Sequence, residues 1–233
     1  MRRFYKSPEV GAQAGGWQVS LDGRALKTQA GRSQIVPTRA LAEAIAAEWD
    51  AQGEELDPAT FPMRDMVDYA IDQVAPDMDA AVVAVLPYGD TDTLCYRAAD
   101  GESFRARQDE AWEPILSATE AREGVRFVRA SGVLHAPQPV ATRERLNARL
   151  ATFDPFTLVA VHNMAAINAS LCIALAALED DVDLDALFGA ANLEEDWQAI
   201  QWGWDGDALA RRDSRLAGFK LAAELARLVR QPD

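Results

Sequence analysis

Catalysis by proton transfer or nucleophilic attack needs a base held against its partner, and this 233-residue chain offers two histidines for the role, His135 and His162. His162 falls in a long uncharged run and reads as a satisfied core residue, whereas His135 lies in a proline-rich connection and reads as a surface one. The sequence contains no GxSxG, no HExxH and no Walker phosphate loop, and Gly11, Gly15 and Gly16 do not follow a strand with dinucleotide-binding spacing. The best residual enzymatic signal is Asp90-Thr91-Asp92. Two carboxylates one residue apart can share a divalent cation that bridges phosphates, although Gly89-Asp90 also fits ordinary turn chemistry. No cofactor is expected. Cys95 and Cys172 stand far apart without a CxxC or Cys/His spacing, so they read as buried small hydrophobes rather than a disulfide or zinc site.

Binding chemistry is better represented. Between Glu179 and Asp207 the chain carries ten carboxylates and no lysine or arginine, with three of its six tryptophans, Trp197, Trp202 and Trp204. The run NLEEDWQAIQWGWDGD (192–207) predicts a helix with Asn192 as N-cap and Glu195 completing a capping box. At about 100° per residue, Leu193, Trp197, Ile200 and Trp204 fall on one face, and Glu195, Gln198 and Trp202 on the other. Trp202 then projects from a polar face. With Glu194, Glu195, Gln198 and Asp205 around it, it is the candidate anchor of a partner-binding surface, because large aromatics dominate interface energetics. The bland alternative is that Glu194 and Glu195 are first-turn acids favoured by the helix dipole and that another helix covers Trp202.

Charge narrows the partners. A formal net charge of −14, from 23 basic and 37 acidic residues, opposes nucleic acid and anionic membranes and favours a basic or neutral protein. The N-terminal MRRFYKSPEV does not read as a signal or transit peptide, which points to a bacterial cytoplasm. The uncharged stretch from Pro155 to Leu178 has the length of a membrane span, but His162, Asn163, Asn168 and Ser170 interrupt it and its alanines suit a packed core, so no membrane insertion is expected.

The elements that must position these residues divide near residue 60. Residues 1–60 read as a small β-rich domain: runs of Trp17–Leu21 and Arg24–Thr28 flank the hairpin signal Asp22-Gly23, and a short strand follows at Gln34–Val36. Pro37-Thr38 opens a helix whose stripe is Leu41, Ile45 and Trp49, ending near Gly53. Residues 61–233 read as an α-helical domain, with helices at Arg64–Val74, Met78–Leu86, Ser103–Arg122, Arg143–Phe153, Phe156–Leu178, 193–203 and Leu209–Val229. Pro114 should kink or interrupt its helix. The β-leaning segment Val125–Leu134 could return as a strand to the N-terminal sheet. The fold class is therefore α+β, a small β-rich N-terminal part followed by a mostly helical bundle.

Four runs in order, WQVSLDGRALKT, PTRALAEAIAAEWDAQ, DTLCYRA and NLEEDWQAIQWGWD, resemble the assembly chaperone of the F-type ATP synthase that handles its alpha subunit, called ATP synthase assembly factor two in mitochondria. The resemblance spans nearly the whole chain. It implies a bacterial relative without the mitochondrial targeting extension, the two-part architecture above, and no enzyme activity. It further implies binding of the free alpha subunit, without ATP, and shielding of its beta-facing surface until the ring is built. By the same resemblance Trp49 matches a fold-supporting tryptophan, Leu193-Glu194-Glu195 matches a functional acidic position, of which helix geometry prefers Glu195 because it shares a face with Gln198 and Trp202, and Arg97 matches a residue expected to pair inside the fold; Trp197, on the apolar face, joins Trp49 and Arg97 as structural. The rivals are a metal-dependent enzyme using Asp90 and Asp92, and a helical adaptor for basic peptides.

Overall fold

The computed structural model describes residues 1–132, 135–203 and 205–232, so Trp204 and the end of the segment Val125–Leu134 lie outside the described residues. The class is the expected one, a small N-terminal sheet followed by a mostly helical region. Two compact units are resolved: Met1–Met78 with Asp154–Ala160 and Glu224–Asp233, and Asp79–Phe153 with Val161–Ala223.

In the first unit, β1 (Pro8–Gln13), β2 (Gly16–Leu21), β3 (Arg24–Ala25) and β4 (Ile35–Val36) form an antiparallel sheet in which β2 pairs with all three others. Asp22 and Gly23 both take positive φ, 50° and 78°, as a two-residue hairpin turn requires. Gly16 is required by proximity: a Cβ there would stand 2.1 Å from the Val36 carbonyl oxygen. Helix α1 (Arg39–Asp50) starts where the Thr38 hydroxyl accepts from the Leu41 amide at 3.2 Å, and it buries Leu41, Ile45 and Trp49 in one stripe. Trp49 meets Tyr5 edge-on at 5.5 Å and Phe61 at 4.6 Å, with the Arg64 guanidinium over Phe61. The unit runs past residue 60 for a physical reason. The Glu48 carboxylate accepts from the amides of Met63 and Arg64, at 2.6 and 2.9 Å, and so caps α2 (Pro62–Tyr69) from α1. A single π-helical turn, Ala70–Val74, continues α2.

In the second unit, α3 (Met78–Val85) and the short α4 (Pro87–Asp90) lead to β5 (Tyr96–Arg97) and the 21-residue α5 (Ser103–Glu123). Pro114 does not interrupt α5, because Trp112 and Leu116 on either side are fully buried and hold the helix through the missing amide bond. The β-leaning segment does not join the N-terminal sheet. Its β6 (Ala130–Ser131) pairs in parallel with β5, Tyr96 opposite Ala130, since Arg97 and Arg129 both reach Glu113 of α5, each with a hydrogen bond of 2.6–2.7 Å. After α6 (Val140–Leu150), the uncharged stretch expected as one helix is two, α7 (Pro155–Asn168) and α8 (Leu171–Ala176). Ala169 at φ 47° breaks the chain, and the Ser170 hydroxyl restarts it by accepting from the Ile173 amide. Helix α9 (Leu184–Ala191), capped by Asp183, was hidden among carboxylates; α10 (Leu193–Trp202) and α11 (Gly206–Arg230) follow. Among the described residues no helix is long and apolar enough to cross a membrane.

Candidate functional site: the acidic helix hairpin

Helix α10 is positioned by its neighbours' cations rather than by a cap of its own. Asn192 stands at the N-cap position, as the sequence suggests, but makes no side-chain cap hydrogen bond: its backbone sits at φ −103°, ψ 19°, and its side-chain amide donates back to the Phe188 carbonyl at 2.8 Å, closing α9. No capping box forms with Glu195, because that carboxylate accepts from Arg215 of α11. One residue on, Asp196 takes Arg212 in a two-pronged pair, 2.7 Å at each contact. Such fork geometry fixes orientation as well as charge. Arg212 also lies over the Phe188 ring at 5.2 Å, so α9, α10 and α11 meet around one guanidinium. Sequence reading missed this clamp, although RRDSR (211–215) after EED (194–196) is a complementary pattern for two antiparallel helices joined by a short turn.

Trp197 is half-buried, stacked on Phe104 of α5 at 5.8 Å with Arg107 over its ring at 4.6 Å. Ile200, assigned to that same face, is 70% exposed. The reason is that α10 buries no residue at all; past Trp197 it runs out over the surface. Trp202 is 78% exposed, and Leu209 at the start of α11 is also exposed. Glu194, Gln198 and Asp205 are exposed as well. The outcome is two exposed apolar side chains on different faces of α10, Ile200 and Trp202, with Glu194, Gln198 and Asp205 also exposed and with Glu195 and Asp196 already engaged by arginine. A cavity of about 370 Å³ opens at the N-terminal end of α10, lined by Thr93, Trp112, Asn192, Glu194, Glu195 and Gln198. Trp112 is fixed there by its indole N–H, which donates to the Ala190 carbonyl at 2.7 Å.

The other candidates take structural places. Arg97 is buried and donates to Asp109 at 2.5 Å and Glu113 at 2.7 Å, within a network that includes Arg105, Arg129 and Glu120. Hydrogen bonding from Arg129, against some burial, holds the Glu113 carboxyl down at about 2. For Glu120 burial pushes upward, yet Arg129, the Phe127 amide and Arg126 together leave its pKa lowered. The Asp90/Asp92 pair is not a shared cation site. Asp92 is wholly buried and accepts from the Leu94 amide, the Ser170 hydroxyl and the Cys172 amide, while Asp90 turns to Arg143 at 2.8 Å. Burial raises the Asp92 pKa, as it does those of Cys95, to about 12, and Cys172 beside it. Among the described residues no group of three or more His, Cys, Asp or Glu side chains is arranged to hold a metal. His162 is half-buried near the Tyr88 ring, with its pKa lowered by burial, and His135 is exposed with one ring nitrogen 3.0 Å from the Tyr96 hydroxyl.

Residues 2–120 match the family model described as ATP12 chaperone protein. The chain belongs to the ATP12 chaperone family. It is therefore a chaperone of the class that serves ATP synthase assembly. The ATP12 relatives include the protein atp12, mitochondrial, of Schizosaccharomyces pombe, 26% identical over 219 residues, covering 89% of this chain and 75% of that one. Among solved structures, Atp12 from Paracoccus denitrificans superposes with a TM-score of 0.93 at 35% identity, over 98% of both chains. The Atu1473 protein of Agrobacterium tumefaciens gives the same TM-score at 37% identity, over 98% of this chain and 86% of that one. The structural likeness extends beyond the matched residues 2–120 to the acidic hairpin, which the ATP12 fold thus includes.

Proposed function

We propose that this protein is an ATP-independent holdase for the alpha subunit of the F-type ATP synthase, acting in the bacterial cytoplasm and covering the subunit's beta-facing surface until the ring assembles. The family supplies the chaperone role, and the resemblance of the four sequence runs supplies the client. The physical need is plain: a subunit made for an obligate interface exposes a large apolar patch while alone, and such a patch aggregates unless it is covered reversibly. No catalysis, cofactor, nucleic acid or membrane insertion enters this reading.

The observation that carries the contact surface is Trp202, 78% exposed at the end of a helix with no fully buried residue of its own. An exposed aromatic flanked on its own face by polar and acidic side chains has the make-up of an interface anchor with a polar rim. Glu194, Gln198, Trp202 and Asp205 form that surface, and Glu195 supports it by tying α10 to Arg215. Of the two glutamates, Glu194 is the one left for the client. The exposed Trp202 also separates this reading from an adaptor for basic peptides, whose binding would vanish in salt, whereas a client interface with an apolar centre persists at moderate salt.

Size-exclusion chromatography tests the client directly. The purified protein mixed with isolated alpha subunit, without nucleotide, is expected to elute as a complex, and with isolated beta subunit as two separate peaks. Co-elution with both or with neither would defeat the client assignment.

A further inference from the structure

The arginines of this acidic chain are unevenly spread. Residues 122–149 carry six arginines against two glutamates, within a chain of net charge −14. Four of them, Arg122, Arg126, Arg145 and Arg149, gather where the C-terminal turn of α5 meets α6, on two neighbouring cavities. The first, about 530 Å³, is walled by Ala121, Val125, Pro139, Ala141 and Thr142, with Arg126 at its edge. The second, about 370 Å³, is lined by Arg122, Arg145 and Arg149 around Glu123. Gly124 joins them: it lines the first cavity, and a Cβ on it would come within 3.9 Å of the Arg145 guanidinium that lines the second.

The guanidiniums are held in place from below. Glu123 is buried, and its carboxylate takes Arg122 at 2.9 Å and Arg149 at 3.2 Å on separate oxygens. Arg122 additionally reaches Glu179 at 3.4 Å. Arg145 donates to the Glu123 carbonyl at 3.1 Å, and among the described residues no carboxylate lies within ion-pair distance of it. Arg126 is 86% exposed, with one contact to Glu120, a carboxylate that Arg129 also serves. Glu123 thus orders two arginines while neutralising only one charge, and Arg145 and Arg126 remain turned to solvent with donors to spare.

We propose that this α5–α6 cleft is a second docking surface, separate from the acidic hairpin, and that its occupant is an acidic peptide segment of a partner protein. The segment's carboxylates meet Arg126 and Arg145, with Arg122 and Arg149 behind, and its small apolar side chains enter the space between Ala121, Val125, Pro139 and Ala141. Charge complementarity selects the occupant, because clustered arginines pair carboxylates in forked geometry and here six arginines stand against two glutamates over residues 122–149. The inference does not depend on which client the acidic hairpin holds.

Fluorescence anisotropy of the full chain with a labelled twelve-residue peptide alternating glutamate with alanine and valine tests it. Binding is expected at low salt and is lost when lysine replaces each glutamate. Arg145→Glu and, separately, Arg126→Glu should each weaken binding roughly tenfold with an unchanged melting temperature, whereas Arg24→Glu, an exposed arginine of β3, should not. Ala141→Trp, which fills the first cavity without altering charge, should also weaken it. Equal binding of the glutamate and lysine peptides, or indifference to Arg145→Glu and Ala141→Trp, overturns the proposal. So does full displacement by inorganic phosphate at the same affinity, which would make the cleft a simple oxyanion site.

Discussion

Trp49 and Trp202 are the same residue put to opposite uses. Trp49 is walled in by Tyr5, Phe61 and Arg64, its backbone carbonyl accepts the Tyr5 hydroxyl at 2.5 Å, and its helix buries a full stripe. Trp202 ends a helix with no fully buried residue, tied to α11 through Arg212 and Arg215. The contrast shows that a large apolar side chain stabilises the fold only where neighbours surround it. Elsewhere it is an investment in a partner.

The largest effect that would break this contrast is Trp49→Arg. A second cation beside Arg64 in a packed aromatic cluster should cost at least ~3 kcal/mol, visible in urea unfolding. Asp92→Ala should follow at about 2–3 kcal/mol, since it strands the Leu94 and Cys172 amides and the Ser170 hydroxyl inside the second unit. Acid sharpens the picture further. Glu113 titrates near 2 in the folded protein against an ordinary 4.5, so its contribution is complete above about 4.5 and is lost as pH falls from there toward 2. The stability gap between the native protein and Glu113→Gln, measured by denaturation across that window, should therefore close as pH drops.

Smaller effects on stability mark the surface. Glu195→Lys should cost about 1 kcal/mol, because it removes the Arg215 pair and sets a cation against two arginines, and it should weaken client binding as well. Glu194→Lys should weaken binding alone, with stability within ~0.5 kcal/mol of the native protein by thermal melting. If both glutamates behave alike in both assays, the division of labour between them is wrong.

The N-terminal hairpin and α1 were legible in the sequence because their signals are local: Asp22-Gly23 demands a tight turn, Thr38 caps, and Leu41, Ile45 and Trp49 repeat at helical spacing. Residues set by distant partners were not. Asn192 holds the N-cap position but its side chain is claimed by the Phe188 carbonyl, and Glu195 has the spacing of a capping box but is claimed by Arg215, twenty residues on. Ile200 shares a helical face with Trp197, yet Phe104 and Arg107 cover only the first of the two. The break at Ala169 was hidden because nothing in the letters of an alanine-rich run announces a left-handed residue; Asp92, far away in sequence, helps hold it. Periodicity tells which residues share a face, and tertiary packing decides how much of that face is covered.

The central claim is that the exposed end of α10 is a contact surface and not a stray apolar patch. Titration of isolated alpha subunit against the native protein and against Trp202→Ala, with a melting curve for each, tests it most directly. The expected result is a roughly 30-fold loss of affinity, about 2 kcal/mol, at unchanged melting temperature. Unchanged affinity would contradict the claim, and a fallen melting temperature would contradict the placement of Trp202 at the surface.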